Sequence, residues 1–393
     1  MLNIKNLKRE HLAHVRDGNE DKFFELFQEG LDSKQITLKD VSLREIAESF
    51  IDGGHEAVMS WNPRYGGHGG VSMKLLEESG AVTSGGFSRI TGQLLVTSIM
   101  QAYDMEDNVF SNVIPTESTQ LNGQKIPGIS RIGDEGTTVG EGMAYPVAGV
   151  SEDYIETPLT TKSGLMVHVT KEAIFFDLTG QLQNRCSEVG EMLAINKEKR
   201  LIDCVIDENR TAHRYKWKGT SYATYQTSTP YINSKTSNAL VDWTNVDAAE
   251  LMFNQLTDPY TGEPIMVNPK HLVVTRQNLR TAQRILTATQ VTTTTPGFAT
   301  SGNPNAVNWA NPISGYQILC SAQLAARLGT DTSWFLGDLT KAFRYMENWP
   351  ITVVQAPANS EAEFTLDVVY RVKASERGAA STWEPRQIIK NAA

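Results

Sequence analysis

Few residues in this chain have the types and spacing that catalysis requires. Its seven histidines form no HExxH motif and no zinc-like spacing with Cys186, Cys204 and Cys320. No GxSxG, GxGxxG or Walker motif is present. An odd, scattered set of cysteines favours reduced, buried thiols over a disulfide framework. The sequence therefore predicts a protein that is not an enzyme and has no cofactor or metal centre.

Four segments could carry chemistry, and each also has a simpler structural interpretation. The pair His11 and His14 lies one helical turn apart and could bind a metal with a third ligand, or could be a solvated helix face. The acidic run 104–107 could hold a divalent cation or face water. The glycines of 61–86 could cradle a phosphate or form an extended arm. The run 216–218, with tryptophan between two lysines, could stack on bases or form a short exposed hairpin, which we favour.

Composition limits the class of protein. The chain has 393 residues, a net charge of −9 and 40% hydrophobic residues, so it can bury a large core. The acidic balance argues against a dedicated nucleic-acid binder, which normally carries a basic stripe. The amino terminus has no apolar h-region, and no apolar run approaches the length of a membrane span, so we expect neither secretion nor membrane insertion.

The helical periodicity predicts a framework of long helices. Apolar stripes at Phe23–Leu31 and Leu43–Ile51 predict two amino-terminal helices that must dock elsewhere, and a third helix is expected over 88–103. A spine helix is predicted from an Asp177 cap to Ile206, roughly 45 Å long. Its polar run 196–200 is expected to be solvated.

Turn chemistry and alternation predict the strands. Asn122-Gly123 indicates a hairpin, and 131–170 resembles a two-stranded finger with a turn at 162–164. Such a finger has too little core of its own, which implies a partner surface. A turn at 347–350 is predicted between two short strands. Near the carboxyl end, 364–373 alternates apolar and polar residues, as a strand with one buried face does.

An α/β lobe is predicted over 246–345. We expect a helix capped by Thr244 with Asp247, strands at Ile265–Val267, Leu272–Val274 and Tyr316–Cys320, helices around 279–286 and 324–328, and a mobile loop over 289–312.

Two segments near the carboxyl end carry a family resemblance. The first is the "GD(F/L)xxAF" pattern of 337–343, and the second is the "FTxDxVxxRxKASERGAAxxxEPR" pattern of 364–386. The residues concerned are Gly337, Asp338, Ala342, Phe343, Phe364, Asp367, Arg371, Lys373, Glu376, Arg377, Glu384 and Pro385. With the order of elements over 87–393, this resembles the major capsid protein of tailed double-stranded-DNA bacteriophages, the Hong Kong ninety-seven type.

The resemblance implies an α+β capsid fold with defined parts. These are a helical region and arm at 1–86, the start of the peripheral domain at 87–130, the extended β-hairpin E-loop at 131–170, the peripheral domain with its spine helix at 171–245, the axial domain at 246–345 and closing strands at 346–393. Many members carry a scaffolding segment before the arm that is cut off during maturation. Because this chain starts at Met1, we expect no such removal, and the role of 1–86 stays open.

The resemblance also implies function and partners. The subunit would assemble with itself through pentamers and hexamers into an icosahedral shell around the phage double-stranded DNA, in the host bacterial cytoplasm and then in the virion. Portal, scaffolding, maturation-protease and decoration proteins are further expected partners, and no membrane is. The alternatives are an encapsulin-like compartment shell and a soluble α/β enzyme, against which the missing catalytic constellation counts.

Five residues are candidates for contacts between subunits. They are Lys162 and Gly164 at the expected finger tip, and Asp367, Arg371 and Arg377 in the carboxyl-terminal strand. Some members cross-link subunits covalently through a finger lysine, which would make Lys162 the residue to test. No catalytic, cofactor-binding or metal-binding residue is expected.

Overall fold

A mixture of helices and sheets builds the chain, which confirms the predicted α+β class. The computed structural model describes residues 7–17, 19–33, 61–62, 67–68, 81–104, 108–127, 138–145, 154–170, 181–207, 215–228, 231–258, 262, 264–294, 306–313, 315–329, 332–355 and 368–392. Its helices are α1 (Leu7–Arg16), α2 (Glu20–Asp32), α3 (Ala81–Tyr103), α4 (Val109–Val113), α5 (Gln181–Ile206), α6 (Trp243–Asn254), α7 (Leu279–Thr287), α8 (Ala322–Leu328) and α9 (Leu339–Ala342), with a 3-10 turn at Pro385–Gln387.

Strands from along the whole chain form the sheets. They are β1 (Trp61–Asn62), β2 (Gly67–His68), β3 (Thr116–Ser118), β4 (Lys125–Pro127), β5 (Tyr154–Glu156), β6 (Thr161–Thr170), β7 (Tyr215–Trp217), β8 (Thr220–Tyr222), β9 (Ser234–Lys235), β10 (His271–Val273), β11 (Gln290–Thr294), β12 (Ala306–Ala310), β13 (Gln317–Leu319), β14 (Trp334–Gly337), β15 (Phe343–Gln355), β16 (Val368–Thr382) and β17 (Ile388–Asn391). Among the described residues, no helix combines the length and the apolarity that a membrane crossing requires.

The chain divides into two compact units. The first takes Met1–Met105, Lys162–Ile195 and Pro350–Glu376, and the second takes Glu106–Thr161, Asn196–Trp349 and Arg377–Ala393. Four elements, α5, β6, β15 and β16, therefore contribute residues to each unit.

In the first unit, α2 carries the predicted aromatic stripe. Phe23, Phe24 and Phe27 are buried, and Gln93 of α3 donates a hydrogen bond to the Phe24 carbonyl oxygen at 3.3 Å. The stripe predicted at Phe23–Leu31 is thus confirmed as a helix docked on another element. The second stripe, Leu43–Ile51, lies outside the described residues.

Helices α3 and α5 approach each other backbone to backbone. A Cβ placed on Gly190 would lie 2.3 Å from the Ile99 carbonyl oxygen, so only glycine fits there. Beside it, the hydroxyl groups of Ser98 and Ser187 are 2.7 Å apart. The predicted spine helix is confirmed over Gln181–Ile206, whereas its expected Asp177 cap lies outside the described residues.

The second unit is built on a five-stranded sheet with the order β13-β10-β14-β17-β9. Alternate residues of one strand face opposite layers: Leu272 belongs to the core beneath α6 and α7, whereas Val273 belongs to the core beneath α8 and the end of α5. Helices therefore cover both faces, as expected for an α/β lobe. Two of its strands, β9 and β17, come from outside the predicted 246–345.

The prediction of a hairpin at Asn122-Gly123 is wrong. Strand β3 pairs with β15 and β4 pairs with β5, so the two strands on either side of this turn belong to different sheets. Gly123 does adopt a positive φ of 84°. The Asn122 carboxamide oxygen accepts hydrogen bonds from the Thr160 amide and hydroxyl groups, at 2.9 and 3.0 Å. Gly123 has the backbone conformation of a turn, as predicted, but pairing with distant strands determines which sheet each strand joins.

The predictions of two further turns are also wrong, because a strand runs through each position. Residues 162–164 lie inside β6, and 347–350 lie inside β15. At the second position, Glu347 pairs with Ser118, and Asn348 donates to the Thr119 carbonyl oxygen at 2.9 Å. The side chain that would close a local turn is therefore used to hold β15 against a distant segment.

The lobe departs from prediction in three details. The helix cap is Asp242 with Asn245, not Thr244 with Asp247, and Ile265–Val267 forms no strand. The predicted loop over 289–312 contains β11 paired with β12, in register from Gln290↔Ala310 to Thr294↔Ala306. Its threonine run is β-branched, which favours strand over loop. The hairpin predicted around Gly219 is confirmed by the pairing of β7 with β8.

Candidate assembly surface

The predicted contact residues of the finger lie on an edge strand. In the sheet ordered β3-β15-β16-β6, β6 is outermost, and Lys162 on it is exposed. A Cβ on Gly164 would lie 2.8 Å from the Ala374 carbonyl oxygen, which explains glycine at this close approach to β16. Leu165 and Met166, 43% and 52% exposed, place apolar side chains on the same strand. A long edge strand of this kind is a template for pairing with another chain.

Two of the carboxyl-terminal candidates, Arg371 and Arg377, are half-buried on β16. Val372 is buried between half-buried Arg371 and exposed Lys373, which confirms the predicted alternation at these positions. Asp367 lies outside the described residues. Arg377 donates from Nε to the Thr160 hydroxyl at 3.0 Å, and its guanidinium lies 5.4 Å from the Trp349 ring centroid.

The two motif segments meet in the second unit. Strand β14 pairs with β17, and the Asp338 amide donates to the Gln387 carbonyl oxygen at 2.9 Å. A Cβ on Gly337 would lie 2.2 Å from that same oxygen, so the first motif requires glycine. The amides of Trp383 and Glu384 both donate to the Ala342 carbonyl oxygen. The motifs therefore form one folded junction rather than a reactive site.

A fully buried carboxylate stabilises this junction. Asp338 caps α9 by accepting from the Thr340 amide at 3.2 Å, and its Oδ2 lies 3.1 Å from Lys270 Nζ. Burial alone would raise the pKa of Asp338, but the hydrogen bonds from Thr340 and Lys270 outweigh it and hold the pKa below its ordinary value. Its neighbour His271 is buried, and burial lowers the pKa of that imidazole. These charges are positioned to hold the fold.

Glu198 is a polar core residue that the sequence did not reveal. It is 2% exposed and accepts hydrogen bonds from the Phe110 amide and from the Ser111 amide and hydroxyl, each at 2.9 Å. It thereby satisfies the first amides of α4. The prediction that 196–200 is solvated holds for Asn196, which is exposed. It is wrong for Lys197, Glu198 and Arg200, which have partners far away in the sequence. Only the polar break in an apolar stripe marked the position.

The thiols lack the properties of nucleophiles. Burial raises the pKa of Cys186 to about 11 and that of Cys204 to about 12, and it also raises the pKa of Cys320. Each thiol therefore stays protonated and packs as a small apolar group. In the part of the chain that the structure describes, no group of three or more His, Cys, Asp or Glu side chains is placed to hold a metal. His11, one of the pair considered as ligands, is buried edge-on against Phe23, with ring centroids 5.1 Å apart.

Comparison with solved structures gives distant similarities. The capsid of an empty GTA particle, computed with C5 symmetry, shares 12% identity over 74% of this chain and 91% of its own, with a TM-score of 0.42. A structure from Mycobacterium phage Che8 shares 15% identity over 72% of this chain and 90% of its own, also with a TM-score of 0.42. A virus-like particle from Pyrococcus furiosus shares 9% over 76% and 97%, with a TM-score of 0.40. No protein with a curated description matches the chain.

Family membership rests on a sequence comparison instead. A family model described as phage capsid protein matches residues 154–391, which is more than half of the 393 residues. The match includes the edge strand β6, the spine helix α5, the lobe and both motif segments. Capsid proteins have a structural role, in agreement with the absence of catalytic motifs from the sequence. The chain belongs to the phage capsid protein family.

Proposed function

We propose that this chain is the major head protein of a tailed bacteriophage, which assembles with itself into a closed icosahedral shell around double-stranded DNA. The family match over residues 154–391 carries the proposal. Pentamers and hexamers are the units in which identical subunits close such a shell. Because the match is to phage capsid proteins, an encapsulin-like compartment shell is not favoured.

The surface of the chain supports self-association. Edge strand β6 presents Lys162, Leu165 and Met166, and half-buried Arg371 and exposed Lys373 lie on β16 next to it. We propose that Lys162, Gly164, Asp367, Arg371 and Arg377 contact neighbouring subunits. The parts expected from the family, from the 131–170 E-loop to the closing strands at 346–393, belong to the same proposal.

Other components of a virion are proposed as partners. A portal protein would replace one pentamer, and scaffolding, protease or decoration proteins would act during assembly or afterwards. The DNA would be held by enclosure, since a subunit with a net charge of −9 attracts a polyanion weakly. Denaturing electrophoresis of assembled particles tests whether Lys162 cross-links subunits covalently.

Self-association is tested with the purified chain. Sedimentation velocity and light scattering should show species of many subunits rather than a 43.4 kDa monomer. Replacing Met166 by Lys on the edge strand should reduce these species, because a charge on an edge strand blocks pairing. Lys373→Ala serves as a milder comparison on β16. A purely monomeric wild-type chain over the whole accessible concentration range would contradict the proposal.

A further inference from the structure

Three exposed arginines form a basic surface at α7, where Arg280 donates a hydrogen bond to the Gln283 carboxamide oxygen at 3.1 Å. Arg280 and Arg284 lie one turn apart on this helix, Arg276 lies in the turn just before it, and all three are exposed. The opposite face, with Ala282 and Ile285, is buried in the lobe core. Since that packing fixes the helix, its arginines are held outward on a rigid element.

The sequence around α7 strengthens the basic character. From 264 to 330 the chain contains no aspartate or glutamate, although the protein has 45 of them. The other two basic residues of this segment form ion pairs: Lys270 lies 3.1 Å from Asp338, and Arg327 pairs with Asp203. Among the described carboxylates, none forms an ion pair with Arg276, Arg280 or Arg284. This surface therefore fits an anionic partner.

Helix α2 carries a complementary surface. Its exposed face presents Asp21, Glu25 and Glu29 at four-residue intervals, followed by Asp32. Its other face is buried through Phe23, Phe24 and Phe27, as described above. This helix, like α7, therefore holds its charges outward, and the exposed charges are acidic except for Lys22.

The spacing of the two sets of charges matches. Residues four apart on a helix are separated by roughly 6 Å along its axis and form one inclined ridge. When two helices cross at about −50°, the commonest angle in globular proteins, such ridges run parallel to each other. Glu25 and Glu29 can then face Arg284 and Arg280 as two adjacent ion pairs.

We propose that the arginine surface of α7 on one copy docks on the acidic face of α2 on a second copy. This contact deepens the proposed function, on which it rests, and gives the amino-terminal helices a role in assembly. A second copy fits better than enclosed DNA, because α2 supplies the opposite charge at the same interval. Nucleic acid would also meet the net negative charge of the rest of the subunit.

Charge reversal tests the contact in solution. The variants are R280E/R284E, which makes α7 acidic, and E25R/E29R, which makes α2 basic. Each variant alone should associate at least about tenfold more weakly than wild type in sedimentation velocity, because like charges would face each other. An equimolar mixture should regain association, since every contact between the two variants is complementary. As all four residues are exposed, circular dichroism should remain that of wild type, and Asp247→Arg on α6 should associate as wild type does.

Several results would overturn the contact. One is wild-type association of both single variants, and another is a mixture that stays as dissociated as its components. If R280E/R284E weakened binding to a duplex DNA oligonucleotide but left self-association unchanged, the arginines would face DNA and the contact would be refuted. Recovery of association in the mixture, in a chain that never closes into shells, would support the contact and contradict the proposed shell.

Discussion

Glu198 shows how one side chain can join distant parts of the chain. Its carboxylate accepts three hydrogen bonds at the start of α4 while it is almost fully buried. Replacement by alanine would leave the amides of Phe110 and Ser111 without these partners. We expect Glu198→Ala to lower the free energy of unfolding by about 2 to 3 kcal/mol, measured by denaturant titration.

A matched control lies on the same helix. Glu188 is exposed, so Glu188→Ala should change stability by less than about 0.5 kcal/mol. Equal effects of the two substitutions would mean that the hydrogen bonds of Glu198 contribute little.

His271 should make stability depend on pH. Its Nδ1 accepts a hydrogen bond from the Leu339 amide at 3.3 Å, which requires the neutral ring. Burial lowers its pKa below the ordinary 6.5, and the charge of Asp338 offsets only part of this effect. The unfolded chain therefore binds the proton more readily, so stability is present above pH 6.5 and is lost as the pH falls below it.

Substitution isolates this contribution from the other histidines. His271→Asn keeps an acceptor but cannot titrate, so its unfolding free energy should fall less than that of wild type between neutral pH and about pH 5. The comparison uses denaturant titrations at each pH. Parallel curves for the two proteins would show that His271 does not titrate differently on folding.

Whether the environment of a single residue can be predicted from the sequence depends on where its partners lie along the chain. The burial of the Cys186 and Cys204 thiols follows from their apolar surroundings in the sequence. By contrast, Glu198 belongs to a run of charged residues, and its partners stand 87 and 88 positions away. The pattern of neighbouring residues gives no sign of such a partner. The sequence therefore predicts a solvated side chain for Glu198, which is wrong.

Among the elements, the packing of α3 on α5 depends on a missing side chain. An ideal Cβ on Gly190 would lie 2.3 Å from Ile99 O and 3.1 Å from Ala102 Cβ. We expect Gly190→Ala to separate the helices and to cost about 1 to 3 kcal/mol of unfolding free energy, despite the better helix propensity of alanine. Thermal unfolding followed by circular dichroism measures this loss. Asn184→Ala, at an exposed position of α5, should be nearly neutral; a Gly190→Ala protein as stable as wild type would mean that the helices adjust freely.

Helices with a clear periodicity of apolar residues could be predicted from the sequence. Strands whose position depends on pairing with distant strands could not. The helices α2 and α7 follow from apolar residues at helical spacing, since each buries one face. The strands β6 and β15 run through glycine, asparagine and proline, where local propensity predicts turns. Pairing with other strands overrides that propensity, and a single sequence does not show which strands will pair.

At the scale of the whole molecule, the family could be recognised from the sequence because its motifs form one junction. Gly337 lies so close to the Gln387 carbonyl oxygen that only glycine fits, and the Asp338 amide donates to the same oxygen. The contact surfaces between copies are harder to predict, because exposed residues are not selected by packing in their own chain. The arginines of α7 became notable only when the structure showed them exposed together on one rigid helix.

The most direct test of the central claim is an electron micrograph of the purified, expressed chain. The account predicts closed shells of uniform diameter, and averaged images should show fivefold and sixfold clusters of subunits on their surface. Isolated subunits or irregular aggregates alone, under conditions in which circular dichroism shows the chain to be folded, would contradict it.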